Sequence, residues 1–308
     1  MSRTQAQKRE RTPIQKIMRH WQWYLIILVP VIWLVVFKYI PMLGLQIAFR
    51  DYTGGSIFSG KFVGLYHFRN FFKSPQAFQI IGNTIGISVY SLIAGFPLPV
   101  IMALFLNVCH SNKLTKSVQM ITYAPYFIST VVMVGIINQL VHPQFGIINQ
   151  LLMSTGVNSI NVMGEPGLFK SIYVWTGIWQ YTGYDSIMYI AVLAGVDPTL
   201  HEAAVVDGAT RFKRVLHVDI PSIIPTAIIM LILRVGNIMN IGFEKIFLMQ
   251  NSLNMSTSDV ISTFVYRRGL EGAQFSFASA VGLLNSVISL ILLICVNQIA
   301  RRGETSLW

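Results

Sequence analysis

The chain has 308 residues, of which 53% are hydrophobic and only 11% are charged. A soluble domain carries about 25% charged residues, so the composition excludes an ordinary soluble protein and indicates a membrane protein. The formal net charge of +11 does not indicate a nucleic-acid-binding protein, because the basic residues are not concentrated on one folded surface.

The first segment, residues 1–20, is basic and directly precedes an apolar run. Six basic residues lie in it: Arg3, Lys8, Arg9, Arg11, Lys16 and Arg19. Positive charge beside a first membrane span is typical of the cytoplasmic side. The sequence therefore predicts a cytoplasmic N-terminus.

Six apolar segments are long enough to cross a membrane, which takes about 20 residues. The predicted spans are residues 21–40, 80–106, 118–141, 169–194, 222–246 and 277–298. An even number of spans returns the tail, residues 303–308, to the cytoplasmic side. We therefore expect an all-α membrane protein with one transmembrane domain, residues 21–302.

Signals for catalysis, metals and cofactors are weak. The six histidines follow no HExxH spacing, and Cys109 and Cys295 are too few for a disulfide framework. The chain has no GxxxxGK[ST] motif, so we do not expect it to bind ATP. The sequence predicts no metal site, no bound cofactor and no catalytic residue.

A polar, mixed-charge stretch, residues 200–225, separates two of the apolar runs. Asp197 and Pro198 are a favourable start for a first helix, and Gly208 is a favourable end. Thr210 is placed to cap a second helix, which the prolines that follow are expected to end. The pattern predicts a helix–glycine turn–helix with small residues at its tip, where another protein can approach closely.

On physical grounds alone, this loop equally suits basic amphipathic helices lying on lipid headgroups. Its residues favour a protein partner. The run EAA-x-x-DGA, followed by Ile220-Pro221 and Pro225, resembles the EAA motif of ABC importer permeases. The matching positions are Glu202, Ala203, Ala204, Asp207, Gly208 and Ala209.

The resemblance covers nearly the whole chain, from Trp21 to Arg302. The segment FVGLYHFRNFF, which we expect to form an interfacial helix, and the segment after Tyr266 are similar to sugar-importer permeases of the maltose-transporter type. Within that type, the chain looks like the subgroup that takes up oligo- and polysaccharides. The second motif helix departs from the usual phenylalanine-rich spacing, because its apolar face is Phe212, Val215 and Leu216.

This resemblance implies a type I importer in the bacterial plasma membrane. The permease pairs with a sister permease, and each docks its motif helix, here Glu202 to Ala209 with Phe212, on one of two ATPase subunits. ATP and magnesium belong to those ATPases. An extracytoplasmic binding protein delivers the saccharide, and nucleic acid has no part.

Two ionisable residues lie deep in predicted spans. Asp185 and Arg234 are about 14 and 18 Å from the inner ends of the fourth and fifth spans, at 1.5 Å per residue. Their similar depths predict that they approach each other. Because buried charges mostly pair with one another, we expect a structural ion pair.

A polar stripe is predicted on the fifth span. Arg234, Asn237, Asn240 and Glu244 fall within about 120° of a helix. Helix–helix hydrogen bonding or sugar contact would explain it, and amides that donate and accept favour sugar contact for Asn237 and Asn240.

Aromatic residues on the fourth span are the other candidates for sugar contact. Trp175 and Trp179 are four residues apart, with Gln180 and Tyr184 close by. Placement in the aromatic belt at the membrane surface is the competing interpretation.

Two other classes of function have different requirements. A polytopic membrane enzyme needs paired catalytic groups at membrane depth, for which Asp185 is the one candidate. A secondary transporter working alone needs inverted repeats with broken helices.

Overall fold

The computed structural model describes residues 21–109, 111–156 and 158–301. The predicted basic segment 1–20 and tail 303–308 lie outside the described residues. Helices of the first half of the chain are α1 (Trp21–Leu34), α2 (Tyr66–Lys73), α3 (Ala77–Gly95), α4 (Pro97–Val108), α5 (Asn112–Tyr123), α6 (Thr130–Leu140) and α7 (Ile147–Ser154). Those of the second half are α8 (Pro166–Ala194), α9 (Pro198–Val206), α10 (Arg211–Arg214), α11 (Ile220–Gly236), α12 (Phe243–Met249), α13 (Met255–Ser258), α14 (Ile261–Tyr266) and α15 (Phe275–Arg301).

Shorter elements connect them. One antiparallel strand pair, β1 (Arg50–Asp51) with β2 (Lys61–Phe62), precedes α2. The interfacial helix expected over FVGLYHFRNFF is therefore shorter than the segment, because Phe62 is in a strand and the helix begins at Tyr66. The remaining turns are the π turns Val35–Tyr39, Val215–Asp219 and Arg267–Glu271, the 3-10 turns Leu43–Phe49 and Ala124–Phe127, and the helical turn Ile40–Met42.

Four continuous helical runs are long and apolar enough to cross a membrane: Trp21–Phe49, Ala77–Val108, Arg211–Gly236 and Phe275–Arg301. Two bent pairs, α5 with α6 and α8 with α9, raise the number to six if each pair is one span. The six apolar segments of the sequence thus appear as helices, although two of them differ in shape from the prediction.

The predicted third span, residues 118–141, is not one straight helix. The run Asn112–Phe127 and helix α6 meet at an angle of 102°. Pro125 lies in a 3-10 turn, and Ile128 is extended (φ −77°, ψ 127°). Ser129 then starts α6 afresh, since its hydroxyl accepts a hydrogen bond from the Val132 N–H.

The predicted fifth span, residues 222–246, is wrong at both ends. One continuous helical run extends from Arg211 to Gly236, so Pro221 and Pro225 lie inside it and do not end the second motif helix. A proline in a helix lacks an N–H and its ring crowds the carbonyl four residues earlier. The wider π turn Val215–Asp219 includes the His217 carbonyl that the Pro221 ring would crowd, and Val35–Tyr39 includes the corresponding carbonyl before Pro41.

Three clusters of buried apolar side chains hold the bundle together. One includes Phe71, Ile261 and Val281, joining α2, α14 and α15, and a second surrounds Phe169 and Ile246. The third joins α4, α8 and α11. In contrast, α1 contributes no buried residue, so its apolar surface is available to lipid or to another membrane chain.

Candidate coupling loop and central cavity

The loop between α8 and α11 forms the predicted helix–glycine turn–helix. Helix α9 leaves α8 at an angle of 70°. The Asp197 carboxylate caps α9 by accepting a hydrogen bond from the Thr199 N–H at 2.9 Å, and Thr210 caps α10 through the Lys213 N–H. The second helix is the start of the fifth span and is not a separate unit.

Gly208 forms the turn between the two helices. Its φ of +74° lies in the left-handed region, which favours glycine, and a Cβ placed there would meet no atom within 4 Å. Open space therefore lies over the turn.

The motif residues are mostly exposed. Val206 is 86% and Phe212 76% exposed, although both are large apolar side chains. Glu202, Ala203, Asp207 and Gly208 are exposed, whereas Ala204 and Ala209 are half-buried. Exposed apolar side chains beside small residues form a surface suited to another protein.

A polar cavity lies within the helical bundle. Its volume is about 590 Å³, and α3, α6, α8, α11 and α12 contribute to its wall. A second cavity of about 280 Å³ adjoins it, because Ser91, Tyr173, Arg234 and Gly242 line both. The two cavities form one space lined by polar residues, which we call the central cavity.

Asp185 and Arg234 form an ion pair in the wall of the central cavity, between Nη2 and Oδ2. This is the contact expected from their similar depths. The side chains are 28% and 31% exposed, respectively. The Arg234 guanidinium also lies 5.9 Å from the centre of the Phe96 ring. Because Asp185 offsets its charge, Arg234 does not by itself indicate an acidic ligand.

Lys245 is a cavity residue that the sequence reasoning missed. It is 7% exposed, and its ammonium donates a hydrogen bond to the Tyr173 carbonyl oxygen at 3.0 Å. The adjacent Glu244 also lines the cavity, but its side chain is exposed. The sequence alone could have indicated this residue, because Lys245 lies within the predicted fifth span and ionisable residues at membrane depth are rare.

The predicted helical stripe of Arg234, Asn237, Asn240 and Glu244 does not exist. Helix α11 ends at Gly236, and Asn237 follows as its cap residue with φ −102° and ψ 10°. Asn237 Nδ2 bonds the Leu233 carbonyl oxygen, and Asn240 Oδ1 accepts a hydrogen bond from Asn285 at 3.4 Å. Both asparagines nevertheless line the smaller part of the central cavity, now from a turn.

The residues of the fourth span that were predicted to contact sugar have other partners. Trp175 donates a hydrogen bond to the Tyr90 hydroxyl at 2.9 Å, and Trp179 lines an apolar groove beside α4. Gln180 is buried and bonds the Ile128 carbonyl oxygen, while Tyr184 stacks on Tyr126 with ring centres 3.7 Å apart.

None of Trp175, Trp179, Gln180 and Tyr184 is among the residues that line the central cavity. The aromatic residues that line it are Tyr173 and Tyr181 of the same helix and Phe243 of α12.

Residues 77–303 match the model of a family described as binding-protein-dependent transport system inner membrane component. Protein LplB of Bacillus subtilis is 37% identical over 285 residues, covering 92% of this chain and 90% of LplB. The polygalacturonan/rhamnogalacturonan transport system permease protein YteP of the same organism is 35% identical over 304 residues, covering 98% of this chain and 94% of YteP.

A crystal structure of a bacterial ABC transporter that imports the acidic polysaccharide alginate contains a similar chain. The two share 38% identity with a TM-score of 0.88, over 94% of this chain and 98% of the other. A structure of the alginate transporter with its pentasaccharide-bound periplasmic protein gives a TM-score of 0.89 at 37% identity, over 96% of this chain and 99% of that one. The predicted type I importer permease fold is confirmed. The chain belongs to the family of binding-protein-dependent transport system inner membrane components, as a multi-pass, non-catalytic permease subunit of an ABC transporter.

Proposed function

We propose that this chain and a sister permease together form the path by which an oligosaccharide crosses the bacterial plasma membrane. The names of its relatives support a saccharide, since YteP is named for polygalacturonan and rhamnogalacturonan, and AraP of Bacillus subtilis for arabinooligosaccharides. The central cavity supports it as well, because hydroxyls, amides and aromatic rings are the groups that bind sugars.

The part of the loop from Glu202 to Ala209, together with Phe212, is proposed to dock on an ATPase subunit, which carries the ATP and magnesium. The observation that carries this assignment is Gly208, a left-handed residue under open space at the tip of an exposed helix pair. Docking there places the loop in the cytoplasm. With six spans, both termini then lie in the cytoplasm as well.

An extracytoplasmic binding protein is proposed to deliver the saccharide to the opposite side. The solved structure of the alginate transporter with a pentasaccharide-bound periplasmic protein supports this partner. It also matches the description of the family as binding-protein-dependent.

Lys245 favours an acidic saccharide over a neutral one. Of the two cations in the cavity wall, Arg234 is paired with Asp185, whereas Lys245 contacts the carbonyl oxygen and the ring of Tyr173, which are neutral. A sugar carboxylate would give the buried ammonium a charged partner.

The decisive experiment is co-purification of the ATPase with this chain carrying Gly208→Trp, in a membrane that also holds the sister permease. The bulky side chain is expected to abolish both co-purification and saccharide uptake. Gly156→Trp is the matched control, since Gly156 also has a positive φ (+83°) and open space around its Cβ position. A Gly208→Trp protein that still couples ATP hydrolysis to uptake would refute the proposed docking. A membrane enzyme or a transporter working alone would retain its activity without any ATPase.

A further inference from the structure

Asp219 is a buried carboxylate at the point where three helical elements meet. It is 2% exposed and is the last residue of the π turn between α10 and α11. Its Oδ1 accepts a hydrogen bond from Asn107 Nδ2 at 3.3 Å and lies 3.4 Å from His201 Nε2. Asn107 is near the end of α4, and His201 is on α9. One carboxylate thus joins the second span, the exposed helix α9 and the fifth span.

The contact through His201 is important because α9 is weakly packed. None of the residues of α9 is buried, so few apolar contacts fix its position against the bundle. Elements with few buried contacts move more easily than the core. The polar contact of His201 with a buried carboxylate therefore helps to hold α9 against the spans.

The surroundings of Asp219 permit a second arrangement. Arg211 and Arg214, together with Asn107, His201 and Asp219, line a cavity of about 280 Å³. Arg214 interacts electrostatically with the carboxylate, and its buried Nε has no hydrogen-bond partner among the described residues. A buried carboxylate must keep partners, since an unpaired charge is costly. When His201 moves away from Asp219, the Arg214 guanidinium can replace it as the partner of the carboxylate.

We propose that Asp219 is the positioning residue that passes movement of α9 to the second and fifth spans, with His201 as its contact on α9. The inference rests on the proposed function, because it requires an ATPase to move α9. In this proposal the movement of α9 reaches the spans through one carboxylate as well as through the backbone that connects them. Neither His201 nor Asp219 lies in the part of the loop from Glu202 to Ala209.

The test uses the complete complex of both permeases, ATPases and binding protein in liposomes, with saccharide import and ATP hydrolysis measured on the same sample. Asp219→Asn and His201→Gln are expected to lower the saccharide imported per ATP about tenfold, within the usual range of coupling between sites. Stimulated ATP hydrolysis continues, because the docking surface is intact. His217→Gln is the matched control, since that ring is exposed and has its hydrogen bond with the Lys213 carbonyl oxygen on the same turn.

A purely structural role gives a different result. It would lower the amount of assembled complex and leave the import per ATP of the assembled fraction unchanged, and this outcome overturns the proposal. If the Asp219→Asn complex does not assemble, the result for His201→Gln distinguishes the two roles, because this variant leaves the bond between Asn107 and Asp219 in place. If the unsubstituted chain bound no ATPase, that result would instead refute the proposed function itself.

Discussion

The ammonium nitrogen of Lys245 lies 3.0 Å from the carbonyl oxygen of Tyr173 and 4.8 Å from the centre of the Tyr173 ring. This arrangement holds a buried cation in the wall of the central cavity. Among the described residues, the ion pairs of Arg234 with Asp185 and of Arg267 with Asp259 do not include Lys245, nor does the contact of His201 with Asp219. Its remaining N–H donors are therefore available to a ligand that enters the cavity.

Replacing Lys245 by methionine should selectively weaken import of an acidic oligosaccharide. A hydrogen bond to a charged group contributes about 1.5–3 kcal/mol, so the apparent affinity should fall roughly 10- to 100-fold. The matched substrate is the same oligosaccharide with its carboxylates reduced to alcohols, whose import should change little. An equal loss for both substrates would show that Lys245 supports the fold and does not select the charge.

The pair of Asp185 and Arg234 should stabilise the bundle. Asp185→Asn or Arg234→Met leaves one charge without its partner, and each should lower the free energy of unfolding by about 2 kcal/mol, less than for a fully buried pair. The double variant Asp185→Asn/Arg234→Met removes both charges and should lose less than the sum of the single variants. Thermal unfolding in detergent measures the difference, and strict additivity would argue against the pair.

The geometry of the coupling loop followed from the sequence because its signals are local. Asp197, Gly208 and Thr210 act within three or four residues, through capping bonds and a left-handed turn. The contact between Asp185 and Arg234 was also predictable, because two opposite charges at similar depth in apolar spans have few other partners.

The lining of the cavity was less predictable because it depends on tertiary packing. Tyr173 and Trp175 are two residues apart, so they lie about 200° apart around α8. A helix with apolar residues on all sides does not show which of these faces is inside. Similarly, α11 ends where Gly236 approaches Leu293 of α15, whose Cδ1 would lie 2.7 Å from an added Cβ. No local signal in α11 specifies that neighbour.

The N-cap at Asp197 should make α9 sensitive to acid. The Thr199 N–H stabilises the carboxylate and holds the pKa of Asp197 below its ordinary value of 3.8. A pKa that is lower in the folded state gives stability that is complete above that ordinary value and is lost as the pH falls through the folded pKa. The protection of α9 against hydrogen exchange, corrected for the intrinsic exchange rate, should therefore be constant near neutral pH and fall, relative to that of the bundle, only in acid.

Asp197→Asn supplies the matched control for this pH dependence. Asparagine caps a helix about as well as aspartate but does not titrate. The variant should retain protection of α9 at neutral pH and lose the additional acid sensitivity. If both proteins lost protection of α9 over the same range of acidic pH, the titrating group would not be Asp197.

Gly183 should be intolerant of even a methyl group. It is buried in α8, and an added Cβ would lie 2.1 Å from the carbonyl oxygen of Thr122 in α5 and 2.5 Å from its carbonyl carbon. Because these are main-chain atoms, the two helices must separate to accommodate alanine. Overpacking of this kind costs about 1–3 kcal/mol, so Gly183→Ala should lower the unfolding temperature in detergent.

Gly282→Ala is the control for the Gly183 substitution. Gly282 lies in α15 with no atom within 4 Å of its Cβ position, and alanine favours a helix over glycine by up to about 1 kcal/mol. This variant should be neutral or slightly stabilised. Because both substitutions gain the same helix propensity, the difference between them isolates the contact between α5 and α8. Equal unfolding temperatures would mean that the two helices are not packed as closely as the position of Gly183 requires.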